Sequence, residues 1–175
     1  MRKLRMDELD RLGLEEFRKE EKLPVVVVLD DVRSMHNVGS VFRTADAFRV
    51  AKIFLCGITG KPPHREIQKT ALGATESVAW EYFEDVTHCL EKLRKQGYSL
   101  TGVEQTDQSL MLHEWKPTKH QPCALIFGNE VSGLSDDVLP LLDIALEIPQ
   151  GGTKHSLNVA VSAGVVIWEL FSQWK

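Results

Sequence analysis

Cysteine is scarce in this chain. Cys56, Cys89 and Cys123 stand far apart and form no Cys-x-x-Cys pair, which excludes a disulfide framework and a zinc knuckle. Each reads as a small buried hydrophobe. Long apolar runs are missing too: residues 24–29 make a strand-sized run, far short of the roughly 20 residues that cross a bilayer. The charged N-terminus has no signal-peptide core, so the expected compartment is the cytoplasm. Positive charge is in deficit, 21 Lys and Arg against 25 Asp and Glu for a net −4, which argues against a dedicated nucleic-acid coat. Two local basic groups remain, Arg2, Lys3 and Arg5, and then Lys61, His64, Arg65 and Lys69; the plainest reading of both is solvated surface. Neither Gly-x-Gly-x-x-Gly nor Gly-Lys-Ser/Thr occurs, so dinucleotide and nucleoside-triphosphate folds lose their main warrant. The six histidines are scattered without metal-ligand spacing, and His155 beside Ser156 has no visible group to orient it as a base.

What is present is an ordinary soluble composition, 43% hydrophobic and 26% charged over 175 residues, enough for one domain. Residues 1–22 mix both charges with spaced leucines and predict one or two short amphipathic helices broken near Gly13. Pro24 opens the β-branched run 25–29, which reads as a strand buried on both faces. Residues 37–48 carry apolar side chains at helical spacing, and 53–55 form a second strand. A helix is expected over 64–72, a strand over 78–83, a helix over 85–96 capped by Asp85 and stopped by Gly97, and a strand over 98–103. Residues 109–121 read as irregular, 124–127 as a strand, 135–142 as a short helix, and 144–148 as a strand ended by Pro149. The last helix is expected to start at Ser156 as its N-cap. Strands alternating with helices imply an α/β fold with a mainly parallel sheet flanked by helices.

In such sheets ligands gather beyond the carboxyl ends of the strands. Those ends are followed by loops 30–37, 104–106, 128–133 and 149–156, which hold most of the unusual residues. Asn37 and Arg43 stand six apart; with Asn37 capping the helix, Arg43 projects from its second turn, where a guanidinium suits phosphate or carboxylate. Gly128-Asn129-Glu130 directly follows a hydrophobic strand, which sets Glu130 where ligands bind. Ser156 and Asn158 flank Leu157 and offer hydroxyl and amide groups for orienting a substrate. Each group taken alone is equally consistent with helix capping and surface polarity.

Three patterns occur in order: Asn37-x-Gly39-x-x-x-Arg43-Thr44-Ala45, Phe127-Gly128-Asn129-Glu130-x-x-Gly133-Leu134, and Ile148-Pro149-x-x-Gly152-x-x-x-Ser156-Leu157-Asn158-Val159. Together they resemble the three motifs of the SpoU (TrmH-like) RNA ribose 2′-O-methyltransferases of the SPOUT superfamily, over residues 24–175. The resemblance implies S-adenosylmethionine bound in a bent form within a C-terminal trefoil knot, a topology nearly absent from other proteins. It implies that Gly128, Ile148 and Leu157 touch the cofactor largely through main chain, with Thr106 and Gly152 lining the pocket. It implies a homodimer whose site is completed across the interface, with Arg43 engaging RNA phosphate or ribose. Because a free guanidinium stays charged near neutrality, Arg43 is expected to stabilise the developing alkoxide rather than to act as base. Asn37, Glu130, Ser156 and Asn158 would position the ribose and the motif loops.

The resemblance divides the chain into a short helical extension, 1–22, and a methyltransferase domain, 23–175, without the separate RNA-binding domain many members carry. Gln150 stands where the family usually has Met, inside the cofactor pocket. The expected activity is methyl transfer to the ribose of tRNA or rRNA. Gln150 and the acidic total motivate one alternative, a catalytically inactive RNA-binding or ribosome-assembly factor with the same fold.

Overall fold

Four consecutive valines, Val25 to Val28, stiffen the backbone against helix and put apolar side chains on both faces of a strand. They form the centre of β1 (Leu23–Asp30) in a computed structural model that describes residues 1–9 and 11–174, Met6 by its backbone alone. The remaining strands are β2 (Val50–Cys56), β3 (Ala79–Phe83), β4 (Ser99–Val103), β5 (Leu110–Met111), β6 (Cys123–Phe127) and β7 (Ile144–Glu147). They make one seven-stranded sheet in the order β3-β2-β1-β6-β4-β7-β5, every neighbouring pair parallel. The helices are α1 (Leu14–Lys19), α2 (Met35–Ala47), α3 (Arg65–Ala71), α4 (Ala74–Ser77), α5 (Val86–Lys95) and α6 (Val159–Trp174).

Strand alternation divides the core in two. Val25, Val27 and Leu29, with Leu125 and Phe127, are buried under α2, α3 and α6. Val26, Val28 and Ile126 face the opposite side, under Leu90 and Leu93 of α5 and under Leu134 and Val138 of the chain after β6. The α2–α3 contact is close because position 39 is glycine: a Cβ there would come within 2.3 Å of the Ile67 carbonyl oxygen. The first motif's glycine therefore serves helix packing.

The two borders of the sheet are unlike its centre. On β3, Glu81 is held by Lys52 at 2.6 Å and Lys92 at 2.7 Å, and the other border, β5, is two residues long. Charge and brevity are ordinary ways of protecting an edge.

Two expectations fail locally. Residues 135–142 form turns ending in a single 3-10 turn, Leu139–Leu141, instead of a helix. Pro140 has no N–H to continue a helical ladder, and the segment spends its apolar residues covering the sheet. Within 109–121, expected to be irregular, β5 pairs with β7 and is followed by a 3-10 turn, Leu112–Glu114.

Candidate functional site

Because all the strands are parallel, their carboxyl ends share one edge of the sheet. There the chain leaving β6 must reverse at once. Position 128 has to be glycine, since a Cβ would lie 2.2 Å from the carbonyl carbon of Gly133. Gly133, at φ +70°, supplies the left-handed turn that brings the chain back. Asn129 and Gly133 exchange two main-chain hydrogen bonds of 3.0 Å. The Asn129 Oδ1 accepts from the N–H groups of Val131 (2.8 Å) and Ser132 (3.2 Å), and its Nδ2 donates to the Asp31 carbonyl at 2.8 Å. The Leu134 N–H donates to Glu104 Oε2 at 3.0 Å, fastening the loop to the end of β4. The result is a rigid lip carrying Val131, whose side chain is 86% exposed.

Glu130 joins this lip to α2. Its carboxylate accepts the N–H groups of Arg33 and Ser34 and the Asn37 side-chain amide, all at 2.9 Å. Burial raises the carboxyl's pKa, but these three donors outweigh it and hold Glu130 below the usual carboxylate range. A negative charge at a helix N-terminus also meets the favourable end of the helix dipole. Asn158 completes the connection, donating from Nδ2 to Asn37 Oδ1 at 3.0 Å. Its own Oδ1 accepts from the N–H groups of Ala160 (2.9 Å) and Val161 (3.4 Å). Side chains from three distant loops thus form one line, Glu130–Asn37–Asn158.

Two assignments change. Ser34, not Asn37, caps α2, accepting the Asn37 N–H at 3.3 Å; Asn37 sits inside the first turn and spends its side chain on Glu130 and Asn158. Asn158, not Ser156, caps α6, which begins at Val159. In the first case Asn37 reaches sideways and leaves the cap to Ser34, three residues earlier; in the second Asn158 does both, capping α6 with its Oδ1 and reaching Asn37 with its Nδ2.

A cleft of about 510 Å³ opens between the lip and residues 148–158, floored by Phe127 and Leu146. Gly128, Glu130, Ile148, Ser156, Leu157 and Asn158 line it, and so does Gln150. Thr106 is turned to a separate groove beside Pro140 and Asp143. Gly152 is exposed near the cleft without forming its wall, and a Cβ on it would meet nothing within 4 Å. Arg43 is exposed on α2 and faces a different groove, of about 650 Å³, between α2, α4 and the N-terminal segment. It makes no ion pair among the described residues. Within one chain, therefore, the guanidinium and the cleft are apart.

Glu104 and Asn129, which hold the lip, were not singled out by sequence reasoning as site residues; their place directly after a strand was the available signal. Behind the lip, Asp30 ends β1 with its side chain buried and hydrogen-bonded by the main-chain N–H and hydroxyl of Ser135. Burial first, and the charge of Asp31 second, raise its pKa to about 6 against those bonds. No cluster of His, Cys, Asp or Glu suited to a metal occurs among the described residues.

The cleft is of a size that ordinary ligand pockets have, roughly 300–1,000 Å³. Apolar Phe127, Leu146, Ile148 and Leu157 line it together with the acidic Glu104, Glu130 and Glu147, a lining that disfavours a polyphosphate. The profile of the SpoU rRNA Methylase family matches residues 24–168. A tRNA (guanosine(18)-2′-O)-methyltransferase of Thermus thermophilus is 30% identical over 162 residues, which cover 93% of this chain and 81% of that protein. The crystal structure of the A. aeolicus TrmH/SpoU tRNA modifying enzyme superposes with a TM-score of 0.81 at 26% identity, over 91% of this chain and 80% of that one. An AdoMet-bound rRNA methyltransferase from Sinorhizobium meliloti superposes with a TM-score of 0.79 at 26% identity, over 88% of this chain and 59% of that one.

Proposed function

Since the chain belongs to the SpoU rRNA Methylase family, we infer that it transfers a methyl group from S-adenosylmethionine to a ribose 2′-hydroxyl of tRNA or rRNA. The cofactor, when bound, supplies an electrophilic methyl on a sulfonium sulfur. Gly128, Ile148 and Leu157 would hold it from the cleft wall, with Gln150 against it. Gly152 remains part of the proposal as a contact that loop 149–158 would have to bring in, and Thr106 as one that the loop after β4 would have to turn toward the cleft. Asn37, Glu130 and Asn158 fix the mouth of the cleft, and the Ser156 hydroxyl is exposed there to meet a ribose. Orientation of this kind supplies on the order of 7–11 kcal/mol in the best intramolecular cases.

The proposed chemistry calls for Arg43, and a stripe on α6 supports a route by which a second copy would supply it. Val161, Val165 and Trp168 lie at i, i+4 and i+7 and are 51%, 37% and 54% exposed, an apolar stripe on a helix packed beside α2. Trp168 clusters with Phe48 at 5.8 Å and Phe171 at 6.1 Å. A second copy covering this stripe would form a homodimer and could set Arg43 of one subunit at the cleft of the other. There the guanidinium would bind the RNA phosphate and stabilise the alkoxide as the proton leaves. The trefoil knot implied by the resemblance belongs to the same proposal, tied where residues 149–158 lead into α6. The observation that carries the reading is the Glu130–Asn37–Asn158 line, which draws all three motifs to one cleft.

Incubation with labelled S-adenosylmethionine and bacterial total tRNA or rRNA tests it. Label is expected in the ribose, and Arg43→Ala is expected to lower transfer at least 100-fold while S-adenosylhomocysteine binds within twofold of wild type. Cofactor binding without transfer to either RNA would sink the reading. RNA binding without cofactor binding would assign the chain to the inactive class instead.

A further inference from the structure

The loop after β2, residues 57–64, shares the cleft's edge of the sheet and is tied to it. Buried Thr59 donates its hydroxyl to the Leu29 carbonyl and accepts the Val32 N–H, both at 3.0 Å. The Ile58 N–H donates to Asp31 Oδ1 at 2.9 Å, and the Asp31 carbonyl in turn accepts Asn129 Nδ2 at 2.8 Å. One residue, Asp31, therefore links this loop to the lip of the cleft. Tyr82 donates to the Gly57 carbonyl at 2.9 Å, and Lys61 Nζ stands 3.9 Å from the centre of the Tyr82 ring.

Resting on the methyltransfer reading above, we propose that loop 57–64 and the start of α3 dock the single strand of RNA flanking the target ribose. Lys61 and Arg65 take its phosphates, and Ile58 takes an apolar face of a base or sugar. Charge is what distinguishes this surface. Lys61 and Arg65 have no ion-pair partner among the described residues, and neither has Arg33 on the intervening loop. The acids around them are occupied: Glu66 by Lys69 at 2.7 Å and His36 at 2.8 Å, Asp31 by the Ile58 N–H. His64 accepts the Glu66 N–H at its Nδ1, which leaves Nε2 as the donor. In a chain of net charge −4, three cations without ion-pair partners, on two adjacent loops and at the start of α3, form a local anion track. Ile58, 63% exposed, adds the apolar footing that single-stranded nucleic acid uses alongside its phosphates. With strands about 4.8 Å apart, β2 lies two steps from β6, on the order of 10 Å. That distance suits the nucleotides next to the one in the cleft.

The test compares Lys61→Glu/Arg65→Glu with Lys95→Glu/Lys119→Glu, an equal charge change on the opposite edge of the sheet. Binding of total tRNA and rRNA to cofactor-saturated protein is measured across a salt series, with methyl-transfer kinetics. The first pair is expected to bind RNA at least tenfold more weakly and to raise KM with kcat within threefold. Its salt slope should fall by about 1 to 1.5, since each single-strand phosphate contact accounts for about 0.7. S-adenosylhomocysteine affinity should stay within twofold, which also verifies the fold. Lys61→Gln/Arg65→Gln should show the same ordering with a smaller loss. An unchanged salt slope in the first pair, or an equal loss in the opposite-edge pair, overturns the docking surface while transfer by the wild type leaves the methyltransfer reading standing. Wild type that transfers to neither RNA overturns both.

Discussion

Asp30 and Glu130 show one side-chain chemistry driven in opposite directions by its surroundings. Asp30 is 4% exposed with a pKa raised from 3.8 to about 6, so ionising it costs the folded state more than the unfolded chain. Its contribution is undiminished below pH 3.8, declines as pH rises toward 6, and stays at its least favourable above that. Asp30→Asn keeps an acceptor for Ser135 and removes the charge. We expect it to exceed wild type in urea-denaturation stability by on the order of 1–2 kcal/mol at pH 8 and to match it near pH 4. Glu130 has the reverse sign: its pKa is lowered, so its contribution is present above the ordinary carboxylate value and is lost as pH falls through the lowered one. At this scale Glu130 was legible because it closely follows an apolar run, and Asn37, Ser156 and Asn158 through their places in the three ordered motifs. Their partners were not legible, since Asn37 and Asn158 are 121 positions apart and no local pattern records that bond.

At the scale of elements, the strands with continuous β-branched or aliphatic runs were readable, and α5 was readable to its Asp85 cap, which accepts the Thr87 N–H at 2.7 Å. Helix starts in the motif regions were misjudged because several adjacent residues there can cap. Ser156 and Asn158 are both competent, and only the three-dimensional neighbour Asn37 decides between them. Asn158→Ala should therefore cost more than a cap. We expect about 1 kcal/mol of stability lost from the helix end, seen in thermal or urea unfolding. A greater loss is expected in S-adenosylhomocysteine affinity, measured by calorimetry, because the wall of the cleft loses its anchor to α2. Equal affinity in the variant would mean that loop 149–158 holds its shape without that anchor. The two-residue β5 escaped sequence reading because so short a strand exists only where a neighbour offers an unpaired edge.

For the whole molecule, the gathering of four loops at one edge followed from strand and helix alternation alone. The separation of Arg43 from the cleft did not, because alternation sets which edge a loop occupies and not which way a side chain on α2 faces. If a copy of the chain covers the stripe on α6, Val165→Glu/Trp168→Glu should sediment as a monomer and lose methyl transfer while retaining S-adenosylhomocysteine binding. A dimer that survives that pair of charges would place the contact elsewhere. The borders of the sheet already narrow the choices: β3 is flanked by lysines holding Glu81, and β5 ends after two residues. Neither border gives an incoming strand a long free ladder to zip onto. A second copy would then have to meet the first flank to flank through side chains, and a two-fold pairing would use up the flank it joins. Growth would halt at a closed pair, and the folded protein would be kept from stacking edgewise into ribbons.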